Sequence, residues 1–176
     1  MSATASGAIW HQPHADDPQS NSAALLARLS SGSPHERAAA SLFLAQQVET
    51  TSGTEAAALG DSLRVLGGVE LLARLVSDSR AEVRRAVLMI LANLCSDAFD
   101  PASALTKCLA RDCVEPVVGI LRHDEDEVAR LYALALLQNV CADSGAAERA
   151  VKAGVLPLLS FFWWMPTTPC SMVDLA

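Results

Sequence analysis

The chain has 176 residues, 51% hydrophobic and 19% charged, enough for one compact domain or a short repeat array. Aromatic residues make up only 5% while Ala and Leu abound, a mixture that favours helices. A net charge of −7 repels phosphate backbones and excludes nucleic-acid binding unless a basic patch is gathered locally, and no stretch approaches the roughly 20 apolar residues that cross a bilayer.

Residues 1–21 are rich in Ser, Pro and small residues and read as a disordered arm. The opening "MSATASGAIWHQPH" has neither the basic start nor the apolar core of a secretory leader, and it lacks the Met-Gly start of a myristoylation site. The expected location is cytoplasmic or nuclear. From residue 22 the sequence repeats itself. "LLARL" at 25–29 returns as "LLARL" at 71–75, forty-six residues on. The same shift carries Arg84 onto Arg130, Leu88 onto Leu134, Leu91 onto Leu137, Asn93 onto Asn139, Cys95 onto Cys141 and Asp97 onto Asp143. "GVELLARLV" at 68–76 meets "CVEPVVGIL" at 113–121, one residue out of step, and "GVLPLLS" at 154–160 opens a further copy.

The repeat predicts three-helix units. In the first, only a second helix around 25–29 and a third over 34–49 are present. A short helix over 55–66, a second helix from Gly68 and a third over 80–96 make the next unit. Helices over 102–111, from Cys113 and over 125–142 make another; a short helix over 146–153 and the start of a second from Gly154 follow. The units span about 22–50, 54–97, 102–143 and, in part, 146–160. Ser79 followed by Glu82 reads as a capping box for the third helix, and Pro34, Pro116 and Pro157 stand early in their helices, where a missing N–H costs nothing. Residues 161–176, beginning with Phe161, Phe162, Trp163 and Trp164, read as an irregular aromatic tail able to cap the stack, to self-associate or to touch a membrane surface, or as the mark of a shortened product of a longer repeat protein.

At 100° per residue, Val83, Val87, Ile90 and Leu94 form one stripe of the central third helix. Arg85, Met89 and Asn93 form a separate narrow row held away from the core. The corresponding rows are Ala39, Phe43, Gln47 in the first unit and Leu131, Ala135, Asn139 in the last. One unit cannot bury its apolar face alone, so the units must stack.

The glycine in "GVELLARLV" and the helix endings "LANLCSD" and "LQNVCAD" resemble the armadillo repeat family over roughly residues 22–160; HEAT repeats, the nearest rival, have two helices per unit. The resemblance implies an all-α, right-handed solenoid of about three repeats plus a truncated fourth, with third helices lining a concave groove. It also implies a non-enzymatic scaffold or adaptor that docks a protein segment in that groove. Asn93 and Asn139 would grip the segment's backbone, since a carboxamide matches both the C=O and the N–H of a peptide group. Gln47 replaces the asparagine in the first unit. Arg84, Arg85 and Arg130 would favour acidic side chains. Met89 and Ala135 stand where nuclear-import adaptors of this family carry tryptophan, so recognition of nuclear-localisation signals is not expected. An asparagine near a helix end can equally serve carbonyls of its own array, and both roles stay open. Two other functions fit: a nucleotide-exchange cofactor of a cytosolic heat-shock chaperone, and the armadillo section of a longer ubiquitin ligase.

Enzyme chemistry finds little support. Cys108, Cys113 and His123 do not match zinc-ligand spacing, "HADD" at 14–17 and "HDEDE" at 123–127 lack a calcium-loop frame, and "GDSLRVLGG" fails the nucleophile-elbow pattern. No Gly-rich phosphate loop occurs. No metal or cofactor is expected, and the five cysteines read as small buried side chains and free thiols.

Overall fold

The computed structural model describes residues 18–31 and 33–164, with side chains for residues 21–31 and 33–160. Of the arm expected over 1–21, residues 1–17 lie outside them, while residues 18–21 are helical rather than disordered; of the tail expected over 161–176, residues from 165 lie outside them. Among the described residues the chain is helix and turn, without strand. In order come α1 (Pro18–Leu29), α2 (Pro34–Thr50), α3 (Gly53–Val65), α4 (Gly68–Leu75), α5 (Ala81–Leu94), α6 (Ser103–Leu109), a 3-10 turn (Ala110–Cys113), α7 (Val114–His123), α8 (Glu127–Val140), α9 (Ser144–Lys152) and α10 (Val155–Trp164). The short, second and third helices expected from the repeat are present at their expected places.

Local chemistry sets the boundaries. Ser33 caps α2, its hydroxyl accepting from Glu36 N at 3.4 Å, and Pro34 occupies the first turn. The capping box expected at Ser79 and Glu82 does not form. Arg80 is the N-cap of α5, Asp78 Oδ1 accepts from Arg80 N at 2.9 Å, and the Arg80 guanidinium takes the Glu82 carboxylate. An aspartate one residue ahead of the serine thus provides the turn, and the nearby arginine removes the glutamate. α10 continues to Trp164, past the boundary at 160 read from the sequence. Nothing in "SFFWW" breaks a helix, and the first obstacle is Pro166, which disfavours helical backbone at the residue before it.

Asp97 and Asp143, the acids closing the repeated "NxCxD", start the next unit. Asp143 caps α9, accepting from Ala146 N at 2.9 Å, and also accepts from Arg111 Nε at 3.0 Å. Asp97 accepts from the Ser103 hydroxyl and, at 2.6 Å, from Lys107 Nζ. The glycines before the second helices serve geometry. Gly67 takes a left-handed φ of 69° to enter α4, and Gly154 takes 81° to enter α10. A side chain on Gly68 would stand 3.0 Å from both Leu26 Cδ2 and the Leu63 carbonyl oxygen.

The third helices stack side by side, α5 lying between α2 and α8, while α1, α4 and α7 support α2, α5 and α8 respectively. Burial follows. On α5, Val83, Val87, Leu88, Ile90, Leu91 and Leu94 are fully buried, each large aliphatic contributing about 1.5–3 kcal/mol relative to exposure. Helix α8, which among the described residues has a third helix on one flank, buries a single stripe: Ala129, Ala133, Leu136, Leu137 and Val140. Cys95 and Cys113 are buried and Cys108 is exposed, all as free thiols. Among the described residues no helix is long and apolar enough to cross a membrane, and no group of three or more His, Cys, Asp or Glu side chains is placed to hold a metal ion.

Candidate partner-binding groove

A groove of about 350 Å³ runs between α2 and α5. Helix α2 contributes Leu42, Ala45, Gln46 and Glu49, and α5 contributes Glu82, Arg85, Ala86 and Met89, each set in helical i, i+3, i+4, i+7 spacing. Tyr132 reaches it from α8. Leu42, Ala45, Ala86 and Met89 supply the apolar lining, while Glu49, Glu82 and Arg85 supply the charge.

That charge is mostly committed. Arg85 donates to Asp126 Oδ2 from Nε at 3.0 Å and from Nη2 at 2.6 Å. The hydrogen bond to Asp126 raises the Arg85 pKa further. Burial works against ionisation of Asp126, but Arg85 and the Ala129 and Val128 amides outweigh it and hold the carboxyl below its usual range. Asp126 thereby caps α8, at 3.0 Å from Val128 N, and ties it to α5. The hydrogen bond from Arg80 likewise lowers the pKa of Glu82. Glu49 stands exposed on α2. With Arg85 neutralised by Asp126 and Glu82 by Arg80, the exposed Glu49 leaves the groove's balance acidic.

Of the residues selected from the sequence, Arg85 and Met89 line this groove. Met89 is not held away from the core as its row suggests; it is 6% exposed, because α5 is flanked by third helices on both sides. Arg84 lies elsewhere, donating from Nε to Asp124 Oδ2 at 2.8 Å and lining a separate hollow with Pro116, Ile120 and His123. Arg130 bonds the Asp124 carbonyl at 3.2 Å. Gln47 is half-buried on α2. Asn93 Nδ2 donates to Met89 O at 3.0 Å within its own helix, with Met89 Sδ at 3.3 Å. Asn139 Nδ2 donates to Ala92 O at 2.8 Å, across to the neighbouring third helix. Asn139 spends one donor inside the array and Asn93 meets two acceptors of Met89, while the carboxamide oxygens keep the capacity to accept.

Sequence reasoning missed Leu42, Gln46, Glu49 and Tyr132. Leu42 aligns with Leu88 and so reads as core, yet it is 54% exposed, since among the described residues no third helix precedes α2.

No family model matches the sequence, and no curated protein matches it. Solved structures do. The chain is similar to an engineered protein from the Northeast Structural Genomics Consortium, with TM-score 0.68 and 22% identity over 84% of this chain and 57% of that one. A second engineered protein from the same consortium gives 0.67 and 22% over 83% of this chain and 33% of that one. A designed armadillo repeat protein in complex with the peptide (KR)4 gives 0.65 and 19% over 83% of this chain and 58% of that one. The fold is an all-α solenoid. The chain spans less than two-thirds of each of these three neighbours, and at such identities the likeness establishes the repeat fold alone.

Proposed function

We propose that the chain is a non-enzymatic scaffold of armadillo type that holds an extended, basic protein segment in the groove between α2 and α5. The observation that carries this reading is the groove itself. Its apolar lining suits the aliphatic stem of a Lys or Arg side chain, and Glu49, with Glu82 shared with Arg80 beside it, suits the charged head. Arg84, Arg85 and Arg130 were expected to select acidic residues; Arg84 and Arg85 are instead tied to Asp124 and Asp126, which turns the preference toward cations. Gln47, Asn93 and Asn139, spaced along three successive third helices, are the candidates for gripping the segment's backbone. The similar designed armadillo protein that is in complex with (KR)4 supports the same direction.

The test is a titration of labelled (KR)4 peptide, and of an acidic peptide of equal length, against the whole chain. The basic peptide should bind saturably, more weakly as salt rises and more weakly to a Glu49→Gln, Glu82→Gln double variant. Absence of saturable binding, or preference for the acidic peptide, contradicts the proposal.

A further inference from the structure

Helices α4 and α7 begin with the same pair, Val69–Glu70 and Val114–Glu115. At α7 the glutamate is answered from the next unit. Arg149 on α9 donates from Nη1 to Glu115 Oε1 at 3.3 Å, and its Nη2 stands 3.1 Å from Asp112 Oδ1.

At α4 the aligned glutamate is not answered. Glu70 Oε2 is buried and, among the described residues, accepts no hydrogen bond. Counting back from the second helix gives the reason. Arg149 lies five residues before Gly154, and the residue five before Cys113 is Cys108, short and without the guanidinium fork. Arg74, one turn along α4 from Glu70, is exposed and does not reach Oε2. A buried carboxylate oxygen without a donor is costly, and a cationic donor relieves that cost most fully.

Glu70 lines a hollow of about 340 Å³ between α4 and the stretch from α6 to α7. Leu109 and Pro116 give the hollow an apolar wall, which suits an aliphatic stem. Ser77 and Asp112 line it as further acceptors, and the Asp112 side chain is 84% exposed beside its contact with Arg149.

We infer that this hollow is a binding site for a guanidinium group, separate from the groove between α2 and α5. The finished joint specifies the ligand. Arg149 spans a glutamate on the second helix and an aspartate just before it. A guanidinium in the hollow meets Glu70 in the same role, with Ser77 and Asp112 to take its remaining N–H groups.

The probe is N-acetyl-arginine methylamide, titrated into the whole chain and followed by nitrogen-edited NMR. Saturable shifts are expected at the Ser77, Leu109 and Asp112 amides, and N-acetyl-norleucine methylamide, which keeps an alkyl stem without the charge, should produce none. Methylguanidinium distinguishes the source: shifts equal to those of the arginine derivative assign the site to a small guanidinium compound, and weaker ones assign it to an arginine side chain. Binding should weaken about tenfold in Glu70→Gln and stay unchanged in Glu49→Gln. Cys108→Arg, at an exposed position, supplies the guanidinium from within, so it should abolish the shifts and raise the melting temperature. That variant keeps the test independent of how Glu70→Gln folds. No saturable shifts at these amides, equal shifts from the norleucine derivative, or binding indifferent to Glu70→Gln and Cys108→Arg overturns the inference.

Discussion

Asn139 on α8 donates its carboxamide hydrogen to the backbone carbonyl of Ala92 on α5, 2.8 Å away. The asparagine shared by the ends of α5 and α8 thus has an architectural task in one copy and a local one in the other, where Asn93 bonds Met89 of its own helix. Asn139→Ala leaves the Ala92 carbonyl without that donor between packed helices and should cost about 1 kcal/mol. Asn93→Ala, which removes an i−4 bond, should cost about half of that or less. Urea denaturation of the two single variants distinguishes them, and equal losses would contradict the assignment.

The shielded ion pairs that join units, Arg37 with Asp78 and Arg84 with Asp124, should contribute more than the exposed ones. Asp124→Asn weakens a shielded carboxylate that serves both Arg84 and the Asp126 amide, and the arginine left behind should make the loss about 3 kcal/mol. Arg85→Ala acts on a guanidinium side chain that is 47% exposed, and should change stability by no more than about 1 kcal/mol. A double-mutant cycle on Arg84 and Asp124 provides the coupling directly.

Core truncation should follow the asymmetry of the stack. Leu91, fully buried on α5, should cost about 2–5 kcal/mol when changed to Ala, and Leu137, 4% exposed on α8, should fall in the same range. Leu131→Ala, on the open flank, should stay within about 0.5 kcal/mol. Chemical denaturation of the three variants checks the ordering.

Much of this order is legible in the sequence, and the misses share one cause. The forty-six-residue shift places the helices because identical local chemistry gives identical local structure: Arg84 and Arg130 bond equivalent carbonyls just as they align. The shift cannot show what differs at the ends of a stack. Leu42 and Leu88 align, yet one is exposed and the other buried; Met89 is buried on α5, while its row counterparts Phe43 and Ala135 are exposed and half-buried. Nor does spacing reveal that Asp124 and Asp126 neutralise the arginines, because those pairs join residues about forty apart. The acidic character of the groove emerges only once those partners are in place.

Thiol reactivity offers an independent check. Burial pushes the Cys95 and Cys113 thiols up to about 12, so in the native chain both remain protonated and shielded near neutrality. Of the cysteines among the described residues, Cys108, exposed on α6, should alkylate first, with Cys95 and Cys113 protected until the chain unfolds. Folding favours the protonated thiol at both buried positions, so their contribution is complete below the ordinary thiol value of 9.0 and is lost as pH rises toward about 12. Mass spectrometry of iodoacetamide labelling against time, and melting temperature between pH 8 and about 11, report the two effects.

The whole account depends on third helices lying side by side in repeat order, and the side-chain amide of Asn139 reports that order most directly. In a nitrogen-edited NOE spectrum of the whole chain, its two hydrogens should show contacts to Ala92 and its neighbours on α5. Contacts confined to α8 itself, or directed to helices other than α5, would contradict the stacked arrangement and with it the groove.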